Sequence, residues 1–203
     1  MPRGFRTTGW VWGSALALGA LLFVACGGGS SGDRTTAPPS TSQSSIVSTT
    51  PTTLVVQDAK LSAADFRNIN TMTRVGDHFV ANVRGHLAEA LAVAHSAQGG
   101  TYPVGTIIQL VPQEAMVKRA PGFSPATKDW EFFSLDTSST GTKILSRGGA
   151  KVLNRFGGSC ASCHGAALPQ FDMVCGTTHG CAPLPIGAAV IAAIQKADPR
   201  PRG

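Results

Sequence analysis

Charge is scarce in this chain. Only 14% of its 203 residues are Asp, Glu, Lys or Arg, and the 17 basic residues are nowhere gathered into a run. A chain that binds nucleic acid through its phosphates presents a basic patch or stripe, so the sequence does not point to that class of partner. Aromatic residues are also few, at 6%, with a single tyrosine. No stretch repeats at a fixed period, which excludes a solenoid or propeller. There are only five cysteines, too few for a disulfide-built scaffold of this length.

What is present begins with a leader. Arg3 and Arg6 precede a run from Trp10 to Val24 without a charged residue, and Ala25 is a small residue before a cut. Residues 1–25 therefore read as a secretory signal, short and wrongly flanked for a membrane span, with an uncleaved anchor as the alternative. Phe23-Val24-Ala25-Cys26 resembles the bacterial lipobox, with Cys26 as the lipidated first residue of the mature chain. Ordinary cleavage with a spectator cysteine is the competing reading. Lipidation implies export to the periplasmic face of a bacterial membrane, held there by buried acyl methylenes at about 0.8 kcal/mol each. Without Arg3 and Arg6 the mature chain keeps 15 basic and 11 acidic residues, a net +4. That modest surplus suits an acidic redox partner protein or anionic headgroups.

Residues 26–57 carry Gly27-Gly28-Gly29-Ser30-Ser31-Gly32 and a Ser/Thr/Pro tract. This composition buries too little apolar surface to offset its ordering entropy and reads as a linker. A coil of about 30 residues reaches roughly 30 Å. The folded domain is expected over residues 58–198, with 199–203 as a solvated tail containing Arg200-Pro201-Arg202.

Within the domain, Ser62 caps a short helix carrying Phe66 and Ile69. Asp77 caps a longer one, because Phe79, Val83, Leu87, Ala90, Leu91 and Ala94 recur at helical spacing before Gly99-Gly100. His78, His86 and His95 fall on or near it as polar positions. The period then changes. Thr106 to Val111 is a β-branched run, and Glu114 to Arg119 is a second strand, with Met116 and Lys118 set on opposite faces. Asp129 to Asp136 alternates, with Trp130, Phe132 and Ser134 against Glu131, Phe133 and Leu135. Lys143-Ile144-Leu145 is a short fourth strand. The connections are too short for helical crossovers, so the sheet is antiparallel and the class α+β. A turn of helix is expected over residues 148–156 and a small-residue helix over residues 187–194.

One motif stands apart. Cys160-Ala161-Ser162-Cys163-His164 places two thiols two residues apart with an imidazole directly after. This is the attachment pattern of a covalently bound c-type haem. Each thiol adds to one porphyrin vinyl group, and His164 supplies an axial nitrogen to the iron, its metal. Two readings compete. A redox dithiol would normally cap a helix after a strand, and Gly157-Gly158-Ser159 does not read as a strand. A zinc cage could draw on Cys160, Cys163, Cys175 and Cys181, with His164 or His179 as substitutes. The cysteine count favours haem: Cys26 goes to lipid, Cys160 and Cys163 to haem, and Cys175 and Cys181 remain to pair as a disulfide.

These pieces, in this order, resemble the cytochrome P-460 family, which includes the cytochromes c′-beta. The resemblance is carried by Tyr102-Pro103-Val104-Gly105-Thr106, Met116-Val117-Lys118-Arg119, Asp129-Trp130-Glu131-Phe132-Phe133 and the late Cys160-to-His164 motif. It implies a small exported β-sheet domain with flanking helices and one covalent haem c, with His164 as proximal ligand. One branch of the family cross-links a lysine to the porphyrin and oxidises hydroxylamine; the other binds small gases such as nitric oxide. Here the strand after Thr106 carries Gln109 and no lysine, and alternation sends the nearest candidate, Lys118, to solvent. Met173, His179, Met116 and Met72 are the candidates for a sixth ligand, none of them clear, so the iron is expected to be five-coordinate. Phe123, Trp130, Phe132 and Phe133 are candidate walls of its pocket. The expected function is binding or redox chemistry on a small ligand. The alternatives are a low-spin electron carrier and a zinc- or disulfide-stabilised binding module without haem. Pairing of two such domains into a homodimer is compatible with any of these.

Overall fold

The computed structural model describes residues 56–202. The leader, Cys26 and nearly all of the linker lie outside the described residues. A six-stranded antiparallel sheet runs in chain order: β1 (Thr73–Val75), β2 (His78–Asn82), β3 (Thr106–Gln109), β4 (Glu114–Lys118), β5 (Trp130–Ser138) and β6 (Gly141–Gly148). Among the described residues three α-helices accompany it, α1 (Leu87–His95), α2 (Cys160–His164) and α3 (Ala188–Lys196). The class is α+β. Among the described residues no helix is long and apolar enough to cross a membrane.

The alternation of β5 divides the core. Trp130 and Phe132 face one layer, with Val80, Ile108, Met116, Val152, Cys160, Met173 and Val174, and the apolar side of α1 packs on it. Phe133 and Leu135 face the other, with Phe66, Ile107, Ala115 and Val117. On that second side an ionic cluster with a buried centre sits at the sheet: the buried Arg119 and Glu131 pair, Arg119 also pairs with Asp58, and Arg147 joins Glu131 at 2.7 Å.

Several expectations are corrected. The helix from Asp77 is instead a hairpin followed by a shorter helix. Gly76, at φ 58°, turns β1 into β2, and Gly85, at φ 84°, ends the extended segment. Asn82 then accepts the N–H groups of Arg84 and His86, so helix begins only at Leu87. His78 is on β2, not on a helix. The Ser62 helix is two separate 3-10 turns, Ala63–Asp65 and Ile69–Thr71. The fourth strand is longer than expected, and no helical turn forms over residues 148–156; a bridge between Leu153 and Ser159 closes a turn there. Met116 and Lys118 lie on the same face, as residues two apart in a strand must, and Lys118 is buried, with 6% of its surface exposed. Arg200 is no part of a solvated tail: it is 3% exposed and donates to the Phe66 carbonyl.

Cys175 and Cys181 form a disulfide. It closes a short loop, so its contribution through the unfolded chain is small. Replacing both by serine is expected to lower unfolding free energy by about 2 kcal/mol, read from denaturant melts.

Candidate functional site

The five motif residues are α2 itself. Ser159 caps it, its hydroxyl accepting the Ser162 N–H, and the Cys160 N–H donates to the Val152 carbonyl at 2.9 Å. Positions three and four apart share a helix face, so one turn brings Cys160, Cys163 and His164 to the same side. Both thiols are free. Cys160 is buried; burial, and then the charge of Glu114, push its pKa up to about 11. Cys163 is exposed, with the Asn154 amide 3.9 Å from its sulfur.

His164 is packed over the sheet, its ring centroid 5.2 Å from that of Phe132. Its Nδ1 lies 2.8 Å from the Met173 carbonyl. A carbonyl only accepts, so Nδ1 carries the proton and donates. Burial lowers the His164 pKa, while the Met173 carbonyl works the other way; the ring is held below its ordinary value. Nε2 has no hydrogen-bond partner among the described residues. A neutral imidazole with Nδ1–H tied to a carbonyl and Nε2 left over is the form in which histidine ligates metals.

The Met173 carbonyl is itself fixed. Asp172 and Met173 both adopt left-handed backbone, at φ 51° and 64°. Lys118 Nζ donates to both Asp172 carboxylate oxygens at 2.9 and 2.8 Å and to the Lys128 carbonyl at 2.7 Å. The Tyr102 N–H donates to Asp172 Oδ2, and Trp130 Nε1 donates to the Asp172 carbonyl at 2.6 Å. The next carbonyl, of Val174, accepts from His179 Nδ1 at 2.7 Å, and the His179 ring stacks on Phe171 at 3.7 Å.

No family model matches the chain, and neither the curated proteins nor the solved structures give a match. The site therefore stands on its own geometry.

The sheet sets out that geometry in rows. On the β4–β5 face the cross-strand pairs are Lys118–Trp130, Met116–Phe132 and Glu114–Ser134. Successive same-face rows are about 7 Å apart. Asp172 covers the first row and the His164 ring meets the second. Beyond the third lies a groove of about 400 Å³, lined by Val111, Glu114, Arg155, Phe156, Val190 and Ile194 among others. Phe156 and Val190 on this groove, and Leu153 nearby in the chain, are exposed apolar side chains. Neither this groove nor a smaller cavity of about 240 Å³, between Phe66, Thr142 and Arg202, is lined by a motif residue.

The other sequence candidates separate. Phe132 meets His164, and Trp130 holds Asp172. Phe133 belongs to the opposite core and Phe123 packs on Arg119, so neither walls this site. Met72 also lies on the opposite side. A four-thiolate zinc cage is not formed, since two of its cysteines are joined to each other, and no cluster of three or more metal-ligating side chains occurs among the described residues. The residue sequence reasoning missed is Asp172, and Lys118, named there as a candidate, was sent to solvent. Lys118 was within reach, since strand alternation puts it on the Met116 face.

Proposed function

We propose that the chain is an exported, membrane-tethered mono-haem cytochrome of the c type, resembling the cytochrome P-460 and c′-beta family. In this reading its five-coordinate iron binds or redox-transforms a small ligand such as nitric oxide or hydroxylamine. The observation that carries the reading is His164: Nδ1–H on the Met173 carbonyl at 2.8 Å, no hydrogen bond to Nε2 among the described residues, and a place one residue after two free thiols on a single helical turn.

The residues fit the group. Cys160 and Cys163 would form the thioethers and His164 would be the axial ligand. When bound, the haem supplies an iron that takes a small ligand and exchanges electrons. The chain's own part is to hold and orient. The Met173 carbonyl keeps the proton on Nδ1, which leaves the Nε2 lone pair for the metal.

Five-coordination is supported by where the alternatives sit. Met173 offers its backbone carbonyl to His164 Nδ1, so it would serve as the partner of the ligating ring. His179 is stacked on Phe171 and bonded to Val174. Met116 is packed in the core as the cross-strand neighbour of Phe132. The branch without a lysine cross-link is supported by Lys118, whose amine is committed to Asp172 and to the Lys128 carbonyl.

The test is an absorption and resonance Raman study of the purified mature protein, oxidised, reduced and with nitric oxide. Five-coordinate high-spin ferrous iron that takes up nitric oxide is expected. A sharp low-spin spectrum with a methionine-to-iron band would instead mark an electron carrier. A colourless protein from a host with working haem-attachment machinery would remove the haem reading.

A further inference from the structure

We infer that the buried Lys118–Asp172 pair is a positioning element for His164, setting the orientation and tautomer of the axial imidazole from the far side of the Met173 carbonyl. This rests on the proposed role of His164 as iron ligand.

A buried ion pair is poor evidence of stabilisation, because desolvation of both charges offsets their attraction. Its place in the fold says what else it does. Asp172 and Met173 are two successive non-glycine residues in left-handed backbone, a conformation that persists only when its surroundings over-determine it. Here they do. The Asp172 carboxylate takes Lys118 Nζ on both oxygens and the Tyr102 N–H on one, and its carbonyl takes Trp130 Nε1. The following carbonyl is the one that accepts His164 Nδ1. Lys118 uses its remaining donor on the carbonyl of Lys128, which is also left-handed, at φ 47°. One ammonium group thus ties two left-handed turns to the sheet, and one of them aims the acceptor of the imidazole proton. Outer partners of this kind tune a ligating histidine by fixing its ring and raising its basicity.

The test uses the full mature protein carrying its haem, as Asp172→Asn, Lys118→Met and Trp130→Phe variants. The readouts are haem per chain, the ferrous iron–histidine stretching band and the midpoint potential. Thioether attachment does not involve Asp172 or Lys118, so haem per chain is expected to stay at the wild-type value. The iron–histidine band is expected to broaden and shift to lower frequency, and the potential to rise, because a loosened carbonyl leaves a less basic imidazole. Trp130→Phe removes the donor to the Asp172 carbonyl but leaves the Lys118–Asp172 pair in place, and should give a smaller shift of the same sign. If Asp172→Asn does not accumulate, Trp130→Phe decides by the same band. Variants with full haem and a wild-type band and potential, whatever their melting temperature, overturn the inference and leave the haem reading intact. Wild-type protein without haem overturns the reading beneath it.

Discussion

Replacing Cys160 and Cys163 together by alanine is expected to abolish covalent haem, leaving a colourless chain whose intact mass carries no haem. The two thiols contribute unequally. Cys163 is exposed and open to a vinyl group even in the folded chain. Cys160 is in the core between Val152 and Met173, its thiol held protonated at neutral pH by burial and by Glu114. In the haem reading attachment at Cys160 would have to precede closure of the core, and Cys160→Ala is expected to reduce haem incorporation more than Cys163→Ala does. The companion variant, Cys175→Ser with Cys181→Ser, is expected to keep its colour. A zinc site using all four sulfurs predicts the opposite pattern: no colour in any protein, and metal lost from both pairs of variants. Haem assay after denaturing electrophoresis, with intact mass, separates these outcomes. Covalent haem persisting in the alanine pair would defeat the assignment of these thiols.

The motif was legible because its chemistry is local: two sulfurs and an imidazole must fall within one turn, and sequence records that spacing directly. Strands β3 to β5 were legible for a similar reason, since Ile107 and Ile108, and Trp130 to Leu135, alternate between two buried layers. The first hairpin was not. Phe79, Val83 and Leu87 happen to fall at helical intervals, and a short apolar run satisfies both periods. The Gly76-Asp77 turn was the better signal, because a two-residue loop opening on glycine suits a tight hairpin. The disulfide followed from counting cysteines. What holds His164 did not follow from anything local. Lys118, Trp130 and Tyr102 converge on Asp172 from 42 to 70 residues away, and nothing in Phe171-Asp172-Met173 marks two left-handed residues. Arg200 was misplaced because its partners, Asn68 and Phe66, lie more than 130 residues earlier.

Arg200→Met is expected to destabilise the domain by about 3–5 kcal/mol, the usual consequence of leaving one member of a buried ion pair alone. The side chains of Arg200 and Asp198 are 1% and 0% exposed. Arg200 donates to Asp198 through Nε and Nη2, at 2.9 and 2.7 Å, and to the Phe66 carbonyl at 2.8 Å. Asp198 also accepts the Ile69 N–H, and Asn68 donates to the Arg200 carbonyl. The clasp thus joins the end of the chain to the 3-10 turns that cover the second core. Burial pushes the Asp198 pKa up, but the Arg200 bonds and the Ile69 N–H outweigh it and hold the carboxyl below its ordinary range. A depressed folded pKa gives stability that is complete above the unfolded value, about 3.9 for aspartate, and is lost as pH falls through the folded one. Wild-type protein should therefore weaken in acid below about pH 4. In the variant the guanidinium is gone and burial dominates, so the folded pKa lies above the unfolded one. Its deficit should be largest near neutrality and shrink as Asp198 takes up a proton. Urea melts between neutrality and acid measure both curves. A deficit under about 1 kcal/mol, typical of an exposed pair, and unchanged with pH would mean that the Arg200 side chain belongs to solvent after all.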